Sequence, residues 1–184
     1  DGRYAPHAAN VMASIIRHAP GAKLRLILLQ SGVSEEIRRR TERTARGADF
    51  VWIDVRDEDL PAFTHGHLNR TVLFRLGLEA LAPQDCGRVI YVDSDTVVLG
   101  DIRELVDVDL KGYALGAVTD CYQDADEFAE AWSLPKGGRY FNSGVLVIDL
   151  PKVRGAKLFS KAIDFVARNG ERLSFGDQDG LNYA

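Results

Sequence analysis

The chain has 184 residues, of which 46% are hydrophobic and 27% are charged, which is typical of a globular domain and not of a disordered or fibrous protein. Its 23 lysines and arginines against 27 aspartates and glutamates give a formal net charge of −4, so the chain lacks the basic character of a general nucleic-acid binder. A phosphate-bearing substrate would therefore need a cation, an arginine or backbone amides at its binding site.

The first half of the chain alternates helices with strands, judged from the spacing of its apolar residues. The predicted helices cover residues 6–18, a segment that begins after Ser34, and residues 70–82. The predicted strands cover residues 24–29, 50–55 and 88–92. Core candidates in the third helix are Leu73, Phe74, Leu76 and Leu78. This alternation predicts parallel strands that are joined by crossover helices.

The second half departs from that pattern. Residues 113–119 and 144–150 are predicted strands, and a polar, aromatic-rich segment is expected to replace the helix between them. A helix near 156–169 is followed by a loop that contains residues 177–179. We therefore expect one α/β domain in which a mixed half is attached to a parallel half.

The sequence also gives expectations about compartment and completeness. Cys86 and Cys121 lack the paired spacing of a zinc site, which favours reduced, part-buried thiols in a cytosolic protein. The sequence has neither an apolar stretch of the roughly 20 residues that span a bilayer nor an opening signal peptide. Residues 1–4 lead into a helix with no strand before it, and residues 181–184 stop where a helix is starting. We expect the domain to be truncated at both ends.

Two carboxylates follow the predicted strand 88–92 directly, in Asp93-Ser94-Asp95. Ligands of open α/β sheets bind beyond the carboxyl ends of strands, and two acids placed there repel each other unless a cation lies between them. Carboxylate oxygens suit Mg²⁺ or Mn²⁺. A turn in which one aspartate caps backbone amides is the alternative. The return to apolar residues at 97–99 favours a metal, because buried acids are costly without a partner.

Other polar residues have both a structural and a functional interpretation. Tyr4 could pack at a helix start or stack on a planar ring. Arg75 could lie on a helix surface, although its neighbours are apolar. Residues 142–144, Asn-Ser-Gly, are typical of a turn and also stand at a strand entrance. Asp177 and Asp179 could cap a helix.

Three motifs decide between these interpretations. Residues 88–98 read RVIYVDSDTVV, residues 140–150 read YFNSGVLVIDL, and residues 176–182 read GDQDGLN. In this order and at these spacings the chain resembles glycosyltransferase family 8, retaining enzymes that include lipopolysaccharide galactosyl- and glucosyltransferases and relatives of glycogenin. The resemblance runs over nearly the whole chain. It implies a GT-A fold, a UDP-sugar donor and a Mn²⁺ cofactor, with Mg²⁺ as the alternative.

The resemblance also assigns roles to individual residues. Metal ligands would be Asp93 and Asp95, with a third, histidine ligand beyond Ala184, because no histidine of this chain stands in a matching motif. Donor-binding residues would be Asp1, Tyr4, Arg75, Ser94, Asn142, Ser143 and Gly144. Catalytic residues would be Asp120 near sugar and acceptor, Asp177 on the donor sugar, and Gln178 near the anomeric carbon.

The resemblance implies that residues 1–184 are a partial catalytic domain of a retaining hexosyltransferase that acts on a glycan or glycolipid in the cytoplasm, with peripheral membrane contact through other regions. Retention could proceed through a nucleophile, for which Gln178 is nearest by analogy, or by same-face substitution. A sugar nucleotidyltransferase is an alternative that would carry a Gly-rich, basic phosphate loop near its start, and residues 1–4 offer none. A non-catalytic sugar-nucleotide-binding or glycan-binding module is the other alternative.

Overall fold

A computed structural model describes residues 2–60, 64–65 and 68–184. The α-helices are α1 (Ala5–His18), α2 (Glu35–Glu42), α3 (Leu78–Leu81), α4 (Arg103–Val106), α5 (Ala125–Ala131), α6 (Leu150–Ala156), α7 (Leu158–Asn169) and α8 (Asp177–Tyr183). The strands are β1 (Arg25–Gln30), β2 (Asp49–Asp54), β3 (Thr64–His65), β4 (Leu68–Asn69), β5 (Arg88–Val92), β6 (Leu115–Thr119) and β7 (Phe141–Asp149). Short 3₁₀ helices cover Arg43–Ala45, Arg70–Gly77 and Gly170–Arg172.

The strands form a parallel part and an antiparallel part. Strands β1 and β2 pair in parallel through the helix α2 crossover, with Arg25 opposite Asp49 and Gln30 opposite Asp54, as the alternation predicts. Strand β7 lies between β5 and β6 and is antiparallel to both. Strands β3 and β4 form a small antiparallel pair. The predicted α/β class, with a mixed half after a parallel half, is confirmed.

Strand β7 contains a bulge that becomes important at the candidate site. Ala117 of β6 faces Leu146, but the next residue, Val118, faces Asn142. Residues 143–145 therefore bulge out of the β6–β7 pairing, while β5 still pairs with Val145 through Val92. A bulge bends its strand and redirects the side chains and backbone groups that it carries.

Helix α5 occupies a segment for which the sequence predicted no helix, and helix α8 begins earlier than predicted. Helix α5 forms in the segment between β6 and β7. Asp124 caps its first turn by accepting from the backbone N–H groups of Asp126 (2.9 Å) and Glu127 (3.1 Å). Residues 177–179 form the first turn of α8, and the loop prediction for them is wrong. Gly176 allows this early start because it takes a positive φ of 55°.

The remaining differences concern element ends. Residues 70–82 are helical as predicted, but mostly in the tighter 3₁₀ form. The helix predicted near 156–169 is two helices, α6 and α7, separated by Lys157 in the left-handed conformation (φ 51°). Strand β7 begins at Phe141, earlier than predicted, and Asp149 caps the helix that follows it.

The core lies between the antiparallel strands and helices α7 and α8. All four core candidates of the segment 70–82 are buried, and fully buried residues elsewhere include Leu146, Ile148 and Phe159. Cys86 is a part-buried free thiol as expected, whereas the free thiol Cys121 is exposed. In the part of the chain that the structure describes, every helix is too short or too polar to cross a lipid bilayer.

Candidate active site

Asp93 stands one residue beyond strand β5 and is held on both its backbone and its side chain. Its N–H donates to Gly144 O (2.8 Å), which extends the β5–β7 pairing by one residue. Its Oδ1 accepts from Arg75 Nη2 (2.9 Å) and from the Tyr91 hydroxyl (2.7 Å). A turn does follow Asp93, since Thr96 N–H and Oγ1 donate to Asp93 O, but it uses the backbone carbonyl and not the carboxylate cap that the alternative interpretation expected. The backbone makes the turn and the carboxylate remains available for chemistry.

Arg75 is buried, with only 9% of its surface exposed, so the helix-surface interpretation is wrong. Besides Asp93 it contacts Asp177, whose Oδ2 lies 2.7 Å from Arg75 Nε. Its Nη1 donates to Ser143 O and to Ser143 Oγ (3.1 Å). The guanidinium carbon also lies 4.6 Å from the centre of the Tyr91 ring. One cation thus fixes two carboxylates and the β7 bulge.

The bulge presents its backbone to the site. Ser143 N–H donates to Gln178 Oε1 (2.9 Å), and Gly144 N–H donates to Asn142 Oδ1 (2.9 Å). The second contact is a local turn of the kind that the Asn-Ser-Gly sequence indicates. A side chain at Gly144 would crowd the site, because a Cβ there would lie 3.0 Å from both Asn142 Oδ1 and Asp93 Oδ2.

Gln178 connects the bulge to the end of strand β6. Its side chain is buried, and its Nε2 donates to Asp120 Oδ2 (3.1 Å), which Asn142 Nδ2 also approaches (3.5 Å). Asp120 Oδ1 in turn accepts from Tyr122 N–H (3.0 Å). The structure therefore joins six predicted residues with Arg75 in one network of hydrogen bonds and ion pairs: Asp93, Asp120, Asn142, Ser143, Asp177 and Gln178.

The electrostatics of the site are those of carboxylates grouped around one guanidinium. Burial raises the pKa of Asp177 to about 6, although Arg75 acts in the opposite direction. Burial also raises the pKa of Tyr91 well above its usual range, with the negative charge of Asp93 acting in the same sense. The Tyr91 hydroxyl therefore stays protonated and donates to Asp93 at every physiological pH.

The remaining predicted residues lie around a cavity of about 770 Å³. Asp93, Ser94 and Asp95 line it together with Tyr4, of which 54% is exposed. Strands β1 and β5 and helix α1 form much of its wall. The predicted donor residue Asp1 lies outside the described residues, as does His67.

The donor set at this cavity fits a hard divalent cation in part. Asp93 and Asp95 both line the cavity, and carboxylate oxygens are the ligands that Mg²⁺ and Mn²⁺ prefer. Within residues 2–60, 64–65 and 68–184, the structure contains no group of three or more histidine, cysteine, aspartate or glutamate side chains that could hold a metal ion. Asp93 and Asp95 are therefore the part of a cation site that the described residues supply.

Several residues of the network were missed by the sequence analysis. Tyr91 precedes Asp93 by two positions on β5 and therefore shares its face, which is a signal that strand periodicity offers. Tyr140 donates from its hydroxyl to Asp179 Oδ1 (2.5 Å), and Asp179 Oδ2 accepts from Phe175 N–H (2.8 Å). Asn182 contacts the backbone of Phe141. No feature of the sequence pointed to those last two pairings.

Comparison with known proteins gives consistent results. The family model described as "Glycosyl transferase family 8" matches residues 1–184. "General stress protein A" of Bacillus subtilis (strain 168) is 27% identical over 192 aligned residues, covering 99% of this chain and 65% of that protein. "Lipopolysaccharide 1,2-glucosyltransferase" of Escherichia coli (strain K12) is 34% identical over 115 residues, covering 62% of this chain and 34% of that protein. The chain thus spans less than two thirds of these relatives.

A solved structure supports the same fold. The galactosyltransferase LgtC, solved in complex with donor and acceptor sugar analogues, superposes with a TM-score of 0.87 at 30% sequence identity. The match covers 100% of this chain and 67% of that one. The GT-A arrangement expected from the sequence is confirmed by this neighbour.

Proposed function

Because this chain belongs to glycosyl transferase family 8, we propose that it carries the donor site of a retaining glycosyltransferase that moves galactose or glucose from a UDP-sugar to a hydroxyl group of a glycan or glycolipid. The observation that carries the proposal is the continuous network from Asp93 through Arg75 and Ser143 to Gln178. It links a candidate diphosphate site to a candidate sugar site. The sugars named for the relatives, glucose and galactose, support a hexose donor.

The donor nucleotide would bind in the cavity that Tyr4, Asp93 and Asp95 line. The exposed ring of Tyr4 offers a flat face on which uracil can stack. Asp93 and Asp95 would hold Mn²⁺ or Mg²⁺, which supplies Lewis-acid stabilisation of the negative charge on the departing diphosphate. Arg75 and Tyr91 engage Asp93 Oδ1 and thereby fix the orientation of that carboxylate before the donor arrives.

The sugar would lie over the bulge, between the network and the cavity. Asp177 and Asn142 can accept from sugar hydroxyls, and backbone groups of residues 143–144 define the distance of closest approach. Gln178 presents an amide whose two ends are held by Ser143 and Asp120. Held this way, its oxygen can stabilise positive charge that develops at the anomeric carbon.

Retention of configuration can follow either of two routes from this arrangement. In one, Gln178 Oε1 forms a covalent bond with the anomeric carbon while the diphosphate leaves. The acceptor oxygen then displaces the neutral glutamine amide, and the departed phosphate takes the acceptor's proton. In the other, the acceptor attacks on the same face and the departing phosphate takes its proton. The amide is a weak nucleophile, which favours the second route. Asp120, beside Gln178, lies where an acceptor hydroxyl would approach.

The nature of the acceptor determines the compartment in which the reaction takes place. We place the reaction in the cytoplasm, with peripheral contact to a membrane where the acceptor is a glycolipid. Nucleic acid is not among the proposed partners, because the net charge of −4 disfavours a polyanion.

The test is transfer by the complete gene product with UDP-galactose or UDP-glucose, read as UDP release with and without Mn²⁺. Asp93→Asn and Asp95→Asn should each remove metal-dependent release while circular dichroism stays unchanged. Asp107→Asn makes the same change at an exposed aspartate outside the network and is the matched control. Release that survives either site variant contradicts the metal role. UDP binding without release indicates a binding module, and pyrophosphate consumption indicates a nucleotidyltransferase.

A further inference from the structure

The side-chain amide of Asn182 makes three hydrogen bonds to backbone groups. Its Oδ1 accepts from Phe141 N–H (2.8 Å), and its Nδ2 donates both to Phe141 O (2.9 Å) and to Gln178 O (2.9 Å). One amide therefore satisfies three backbone groups on two elements, β7 and α8. We propose that Asn182 is a positioning residue that sets Gln178 against the β7 bulge, a role that rests on the proposed function of that site.

The two contacts between Asn182 and Phe141 take the place of strand β5, which no longer pairs with β7 at this position. Strand β5 pairs with β7 only as far as Val145, and Asp93 N–H continues this pairing to Gly144 O. On the other side of β7, Thr119 faces Phe141 and Asp120 N–H donates to Tyr140 O. The N–H and C=O of Phe141 point to the edge that β5 has already left. Asn182 donates and accepts there as a paired strand would.

The third contact transmits this anchoring to Gln178. Asn182 follows Gln178 by four positions in α8, so its Nδ2 reaches the carbonyl of the residue that carries the reacting amide. The side chain of that residue ends on Ser143 N–H, two positions after Phe141. Phe141, Asn182, Gln178 and Ser143 therefore form a closed ring of contacts. Its geometry fixes the distance between the α8 backbone and the bulge.

A separate contact holds the same helix, so that changes at Asn182 should not unfold it. Asp179 accepts from the Tyr140 hydroxyl and from Phe175 N–H, and both partners lie outside the ring. Only an amide of this length can accept from and donate to Phe141 at once. Aspartate keeps the acceptor and loses both donors, whereas alanine loses all three contacts.

The experiment compares Asn182→Asp and Asn182→Ala with the matched control Asn169→Asp in the complete gene product. Asn169 Nδ2 donates to the carbonyl four residues earlier, Phe165 O (2.9 Å), so the control loses the same kind of bond at the end of α7. Both Asn182 variants should lower kcat by about 10- to 100-fold, because small displacements of reacting groups are costly. The Kd for the UDP-sugar, measured by calorimetry, should change less than about threefold, and the control should leave both values unchanged.

Two further measurements separate positioning from general stabilisation. In a Gln178→Ala background, Asn182→Asp should cost little further activity, because coupled residues are non-additive. Amide hydrogen exchange at Phe141 should accelerate in Asn182→Ala and stay slow in Asn182→Asp. Additive losses of activity, or a donor Kd that rises in step with the fall in kcat, overturn the proposal. A parent protein that releases no UDP overturns the proposed function instead, and the exchange result still decides whether the ring forms.

Discussion

Gly144 offers the sharpest test of the site because a side chain there would crowd two polar groups of the site for a purely steric reason. The residue has an ordinary φ, so Gly144→Ala adds a methyl group without backbone strain. That methyl would lie 3.0 Å from Asn142 Oδ1 and 3.0 Å from Asp93 Oδ2, whereas ordinary van der Waals contact begins at 3.4 Å. Both polar groups must therefore retreat by a few tenths of an ångström.

The magnitude follows from which groups have to move. Arg75 and Tyr91 hold the other oxygen of Asp93, so its carboxylate can retreat only by disturbing a buried cation. Overpacking of this kind costs about 1–3 kcal/mol in folding free energy, which lowers the Tm by about 2–10 °C in a chain of this size. Because the displaced oxygen belongs to a proposed metal ligand, we expect kcat/KM to fall about 10- to 100-fold.

The assay measures UDP release at several Mn²⁺ concentrations and thermal unfolding of the same samples. Gly155→Ala in α6 is the matched control, since a Cβ there meets nothing within 4 Å and alanine favours a helix by about 0.5–1 kcal/mol. Gly144→Ala should need more Mn²⁺ for half-maximal rate, whereas the control should not. A Gly144→Ala protein with parental activity and Tm would show that Asp93 is not held as the structure indicates.

Two further predictions concern the charges around Asp177. Arg75→Met should lower the free energy of unfolding in urea by about 3–5 kcal/mol, because the carboxylates of Asp93 and Asp177 lose their cation. Arg75→Lys should lower it by less, because a lysine keeps the charge but cannot reproduce the forked contacts of the guanidinium. An equal stability of all three proteins would contradict this. Asp177 binds its proton more tightly in the folded state than in the unfolded state, so its contribution to stability is greatest below pH 4 and is lost as the pH rises to about 6. In Asp177→Asn that part of the pH dependence should vanish, and an unchanged slope of unfolding free energy between pH 4 and 6 would refute the assignment.

Much of the fold follows from short-range patterns. Strands β1, β2 and β5 are continuous apolar runs. The core candidates of residues 70–82 belong to a helical segment that is buried on all sides, since residues 73–78 are all buried. Helix α5 was missed because its seven residues carry little apolar periodicity, and its formation depends on the Asp124 cap. The early start of α8 depends on the backbone of Gly176, which composition alone does not reveal.

The sequence predicted several of the residues that the structure brings together at the candidate site, but not the contacts between them. Asp93 and Asp95 follow from the strand end, and the family resemblance supplied Arg75, Asn142, Asp120 and Gln178. The bulge at residues 143–145 could not be predicted, because it arises from unequal pairing of β7 with its two neighbours. The contacts of Asn182 with Phe141 join residues 41 positions apart, so they could not be predicted from local sequence patterns either.

The Arg75 network joins residues about 100 positions apart in the chain, from Arg75 to Asp177. A ligand that recognises this network can bind only when the distant segments have come together, so its affinity is linked to cooperative unfolding of the whole domain. At a concentration of 100 times its Kd, such a ligand raises the unfolding free energy by about 2.7 kcal/mol. Sugar nucleotides that fit the pocket should therefore reveal themselves in thermal-shift screening before any acceptor is known.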